Sequence, residues 1–137
     1  MATLEAITPS TVYVPPSFSY SQAVRMGDLI FVAGQVAEDD KGQLVGKDDI
    51  RAQTIQVFEN LRLVLEAAGS GLDLVGKVTV LTTSLAFRPV IHEVRSKVFG
   101  SIGHYPASTL AVITSLAKPE FLVEIDAVAL VRQDCPH

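Results

Sequence analysis

The stretch from Leu29 to Val36 is apolar at both strand parities, with Leu29, Phe31 and Ala33 on one side and Ile30, Val32 and Val36 on the other. Side chains alternate across a strand, so a strand built from these residues exposes apolar surface wherever a face lacks cover. The chain is thereby restricted to folds in which this strand is central and covered on both sides. The segment Tyr20 to Val24 also has strand character, and Met26-Gly27-Asp28 between the two is a tight-turn signal. Residues 1–18 hold three of the seven prolines and read as an extended lead-in.

Downstream the period changes. After a loop at Asp39-Asp40-Lys41-Gly42, Ile50, Thr54, Val57, Phe58, Leu61, Leu65 and Ala68 recur at three- and four-residue spacing, which predicts a helix of roughly five turns. Asp48 or Asp49 caps its start, because a short carboxylate accepts from the free N–H groups of the first turn, and Gly69 ends it. Val75 to Thr83 is β-branched and strand-like. Pro89 opens a second helix with Val90, Val94 and Val98 on one stripe and Gly100 or Gly103 closing it. Leu110 to Leu116 and Phe121 to Val131 complete the sheet as a second hairpin, through a short turn at Ala117-Lys118-Pro119-Glu120. The order ββαβαββ predicts an α/β (α+β) domain, a mixed sheet with both helices packed on one face. It occupies residues 1–137 as a single domain, with 132–137 as a C-terminal tail.

Such a chain is more apolar than a small domain needs, at 48% hydrophobic and 19% charged residues. No apolar run reaches the ~18 residues of a membrane span, so no membrane partner is expected. The surplus belongs either to a subunit interface or to a well-filled core with few exposed charges. A formal net charge of −4, with Arg25, Lys47, Arg51, Lys77, Arg95 and Lys97 scattered, gives no basic stripe and argues against nucleic acid as a partner. The single Cys135 rules out an intrachain disulfide, and the start Met1-Ala2-Thr3-Leu4-Glu5 lacks a secretion signal, so a cytoplasmic location is expected. Cys135-Pro136-His137 cannot close a metal site without further ligands. With no phosphate-binding glycine loop, nucleophile elbow or zinc spacing, neither metal nor cofactor is expected.

Five segments carry a resemblance. They are Tyr20-Ser21-Gln22-Ala23-Val24; Gly27-Asp28-Leu29-Ile30-Phe31-Val32-Ala33-Gly34-Gln35; Gln53-Thr54 followed by Phe58-Glu59-Asn60-Leu61; Pro106-Ala107-Ser108-Thr109-Leu110; and Leu122-Val123-Glu124-Ile125-Asp126-Ala127. In this order and spacing, from about Ser19 to Ala129, the chain resembles the YjgF/RidA family, also called the reactive-intermediate deaminase or L-PSP family. The resemblance implies a chorismate-mutase-like fold, a homotrimer and small-molecule clefts between subunits. It implies hydrolysis of enamines and imines, such as 2-aminoacrylate, to a keto acid and ammonia. Carried over position by position, the water-positioning glutamate is Glu124 and the aromatic wall is Tyr20. The sequence departs from the pattern at three positions. Ser108 stands where an arginine usually follows Pro-Ala, Ala33 where a serine is usual before Gly-Gln, and His92, through a one-residue gap, where the second helix usually has asparagine. No basic residue near Ser108 in sequence takes over, Lys118 lying ten residues on. Losing a charge-assisted pair weakens carboxylate binding roughly ten- to hundredfold, so the substrate is expected to differ from 2-aminoacrylate.

From the residues alone, Glu124 shares a strand face with Leu122, Asp126 and Val128. Two carboxylates on one face of an apolar strand belong to a ligand site, a water-facing edge or a pairing across an interface. His92 is either an acid or base near neutral pH or a boundary histidine off the helix stripe. The hydroxyls of Ser108 and Thr109 either bind a neutral polar group or only start a strand, and Tyr20 is either a cleft wall or an ordinary sheet residue. The candidate site is therefore Glu124 as catalytic carboxylate, with Tyr20, Ala33, His92, Ser108 and Thr109 around a small-molecule ligand. The alternatives are a trimeric binding protein without turnover and, more distantly, an endoribonuclease.

Overall fold

The computed structural model describes residues 2–17 and 19–133; Cys135 and His137, the pair weighed above for metal, lie outside the described residues. The chain forms one six-stranded mixed sheet with two helices on a single face. The strands are β1 (Leu4–Ile7), β2 (Ala23–Met26), β3 (Leu29–Gln35), β4 (Val75–Thr82), β5 (Ala107–Val112) and β6 (Val123–Leu130), arranged β1-β2-β3-β6-β4-β5. The helices are α1 (Ile50–Ala67) and α2 (Arg88–Phe99). All pairings are antiparallel except β4 with β5, which α2 connects as a strand–helix–strand crossover.

Local chemistry accounts for most boundaries. Met26 pairs with Leu29 across a two-residue turn whose first position, Gly27, has φ +63°. A Cβ there would meet nothing within 4 Å, so conformation rather than space requires glycine. Asp49 is the cap of α1, its side chain accepting from the Ala52 N–H. The core-facing stripe of α1 is Thr54, Val57, Phe58, Leu61 and Leu65, with Gln53, Asn60 and Val64 also buried. On α2 the buried positions are Ile91, Val94 and Phe99, while Val90 and Val98 sit at the margin. Phe58 and Phe99 close the gap between the helices edge to face, ring centres 5.8 Å apart.

The sheet departs from the sequence reading in its order and in its strand bounds, the segments expected at Tyr20–Val24 and Leu110–Leu116 forming β2 and β5 at Ala23–Met26 and Ala107–Val112. The lead-in contributes β1, which extends the sheet beyond β2. The last two strands do not form a hairpin, because β4 stands between them. β5 pairs with one edge of β4 and β6 with the other, so residues 113–122 carry the chain across the end of β4. Gln53 fixes that crossing: fully buried, it donates to the Gly46 and Glu120 carbonyls and accepts from the Leu122 N–H. A short apolar pattern cannot distinguish these arrangements, since both bury the same residues.

The double-sided β3 is interior to the sheet, between β2 and β6. Ile30 and Val32 lie in the core beneath α1, with Val78, Val80, Ile125 and Ala127 on the same face. The other face, which the sequence reading expected to be covered, is left partly open by the described residues. Leu29 and Phe31 remain 40% and 39% exposed there, beside Met26 of β2 and Leu130 of β6. The apolar surplus is therefore divided between a filled core and an open sheet face.

Candidate functional site

Glu124 lies on the open face of β6, opposite Leu81 of β4. On its other side β3 shifts register between Val32 and Gln35, so Ala33 and Gly34 have no paired partner on β6. The Glu124 side chain lies across that gap. A Cβ on Gly34 would stand 2.5 Å from Oε2 and 2.6 Å from Cδ. Gly34 is thus a space requirement of the glutamate, with an ordinary backbone φ. Glu124 is half-buried, and this burial raises its carboxyl pKa, with the charge of Asp126 on the same face adding to the effect. Among the described residues no cation or donor acts in the opposite direction. When ionised, such a carboxyl is a stronger proton acceptor than an exposed one.

Tyr20 stands in the segment entering β2. Burial raises its hydroxyl pKa, and the charges of Glu38 and Glu124 raise it further, which places the phenol in the field of both carboxylates. Tyr20, Gln22, Gly34, Gln35 and Glu38 line a small polar pocket of about 40 Å³. Its walls are held by a buried amide chain: Gln35 Nε2 donates to Gln22 Oε1 at 2.7 Å, and Gln22 Nε2 donates to the Tyr13 carbonyl. Asn60 of α1 donates to the carbonyls of Val36 and Glu38, fixing the backbone that carries Glu38.

The remaining expected residues lie elsewhere. Ser108, at the start of β5, has the strand parity of Val78 and Ala127 and so belongs to the helix face. Arg95 of α2 donates from Nη1 to Ser108 Oγ at 2.9 Å, and its Nη2 lies 3.2 Å from His92 Nδ1. Thr109 faces the open side and accepts from Lys77 Nζ at 2.6 Å. A single chain therefore brings together Glu124, Tyr20 and Ala33, and separately His92 and Ser108, on opposite faces of one sheet. The expectation that no basic residue stands near Ser108 is corrected by Arg95. Along the chain Arg95 is one scattered cation, and its three-residue spacing from His92 was the only hint. Gly34 and Glu38 were likewise missed as site residues, since neither a space requirement nor a field effect leaves a periodic trace.

Among the described residues no group of three or more His, Cys, Asp or Glu side chains is placed to hold a metal, and no helix is long and apolar enough to cross a membrane.

Comparison with known proteins places this geometry. The family model for endoribonuclease L-PSP matches residues 11–131. A RutC family protein of Pyrococcus horikoshii is 40% identical over 114 residues, covering 83% of this chain and 88% of the relative. A 2-iminobutanoate/2-iminopropanoate deaminase of Dermatophagoides farinae is 29% identical over 124 residues, covering 90% and 94%. The crystal structure of the YjgF gene product of E. coli superposes with a TM-score of 0.85 at 25% identity, covering 93% of this chain and 99% of that one.

Proposed function

The chain belongs to the endoribonuclease L-PSP family, the YjgF/RidA family, and from that premise we propose that it is a cofactor-free hydrolase of small imines or enamines. The observation that carries this reading is the half-buried Glu124 carboxyl, seated over Gly34 and close enough for its charge to act on the Tyr20 phenol. Glu124 takes a proton from water as the water oxygen attacks the imine carbon. Glu124 returns that proton to nitrogen, giving the carbinolamine, and then carries the hydroxyl proton to the same nitrogen as the C–N bond breaks, releasing ammonia and leaving a keto compound. An enamine enters the same sequence after tautomerising to the imine. Tyr20 walls the pocket and orients the reacting carbon. The deaminase relative supports this reaction class, and the departures at Ala33, His92 and Ser108 support a substrate other than 2-aminoacrylate.

The working assembly is a homotrimer with its ligand clefts between copies. Two observations support it: the uncovered apolar face at Met26, Leu29, Phe31 and Leu130, and the placement of Glu124 and Ser108 on opposite faces of one sheet. A ligand touching both needs two copies. The ribonuclease in the family description is not carried over, because a chain of formal net charge −4 is poorly suited to holding RNA.

A coupled assay tests the reading. An amino-acid oxidase generates imines from a panel of amino acids, and semicarbazide traps what is not hydrolysed. Wild type should lower the semicarbazone yield and Glu124→Ala should not. Equal yields with and without wild-type protein would sink the hydrolase and favour a binding protein without turnover.

A further inference from the structure

We propose that Arg95, flanked by His92 and Arg88 on α2, is the anchor for the carboxylate of a small ligand, seated between α2 and the start of β5. The choice of a carboxylate rests on the hydrolase reading above, which makes the ligand an amino-acid-derived imine.

Arg88, His92 and Arg95 occupy positions i, i+4 and i+7 of α2 and so share one stripe, on the flank that overhangs β5. Two pockets, of about 380 and 440 Å³, share Arg95 and Ser108 as a common wall; His92 lines the first and Arg88 the second. Neither has an acidic side chain in its lining. Charged neighbours on α2 are engaged elsewhere: Glu93 pairs with Arg51 and Lys97. Among the described residues Arg95 has no carboxylate partner, although Arg51 and Arg132 each have one and Arg62 has two.

The hydrogen bonds make the cluster a pre-oriented donor set. A guanidinium cannot accept, so the contact with His92 Nδ1 makes that nitrogen the acceptor and puts the ring proton on Nε2. Ser108 Oγ accepts from Nη1, which holds the planar fork in place. Two of the five guanidinium N–H groups are used in this way. The others and the imidazole Nε2–H remain for an anion, with Arg88 adding positive potential roughly 10 Å along the helix. A planar carboxylate matches such a fork in shape and charge.

The test is calorimetric titration with 2-oxobutanoate, a keto acid of the product class, and with its neutral amide 2-oxobutanamide. Wild type should bind the carboxylate more tightly than the amide. Arg95→Ala should weaken carboxylate binding about ten- to hundredfold and leave amide binding unchanged. Arg95→Lys, with charge but no fork, should fall between, and Arg88→Ala should cost a few-fold. Thermal melts establish that each variant is folded. Glu124→Ala should still bind the keto acid, so loss of turnover and loss of the anchor are separable. Charge-selective binding lost in Arg95→Ala supports the anchor even if no imine is ever hydrolysed. Failure of wild type to bind 2-oxobutanoate, failure to prefer it over the amide, or unchanged binding in folded Arg95→Ala would each overturn it.

Discussion

Gly34→Ala asks whether the position of Glu124, rather than its mere presence, matters. The added Cβ would lie 2.5 Å from Oε2, against ordinary contact at 3.4–4 Å, so the carboxylate must move by roughly 1 Å. The three nearest atoms all belong to the Glu124 side chain, which rotates more cheaply than backbone moves. The backbone is compatible with alanine because φ at Gly34 is not in the left-handed region. The small overpacking cost is therefore offset by the lower entropy of the unfolded alanine chain, and stability should change by less than about 1 kcal/mol. A displacement of this size in a reacting group costs about a hundredfold in rate, about 2.7 kcal/mol of transition-state stabilisation. The assay is the semicarbazide-coupled reaction on wild type, Gly34→Ala, Glu124→Ala and the double variant, with thermal melts alongside. The double variant should be no slower than Glu124→Ala alone, because Gly34 acts only through the glutamate. Turnover by Gly34→Ala within a few-fold of wild type, or a multiplicative loss in the double variant, would refute the argument.

Three further outcomes are expected. Gln53→Ala, by leaving the Gly46 and Glu120 carbonyls and the Leu122 N–H without their buried partner, should cost about 2–4 kcal/mol in urea denaturation, and a loss under about 1 kcal/mol would contradict its role at the crossing. Because burial and Asp126 raise the Glu124 pKa, the folded chain holds that proton more tightly than the unfolded one, so this group's contribution to stability falls as pH rises from the ordinary glutamate value to the raised one. Glu124→Gln should gain on wild type in melting temperature across that window, and Asp126→Asn should move the acid limb of the activity profile to lower pH; an unmoved limb would exclude Asp126 as a cause. Light scattering should find wild type as three chains and Phe31→Asp as one, since the substitution places a charge on the uncovered face; a monomeric wild type at micromolar concentration would count against the assembly.

Much of this protein is legible along the chain because it depends on local rules. The Asp49 cap, the stripe of α1, the Gly27 turn and the two-sided pattern of β3 each follow from neighbours within a few residues, and the five ordered segments carry the family. Those same rules could not order the sheet: a strand's apolar face is equally buried beside β5 or beside β3, so the insertion of β6 between β3 and β4 depended on which edges were left to pair. The site divided along the same line. Glu124 and Tyr20 were named from sequence, and the fold brings them into one field. Arg95 and Ser108 are 13 residues apart, and only the parallel docking of β5 against β4 beneath α2 places the guanidinium on the hydroxyl. The need for glycine at position 34 arises from a side chain ninety residues away, at a bulge with no local signal. Sequence determines what each segment can be; the tertiary structure decides which groups share space, because contact distance between remote residues is a property of the packed sheet alone.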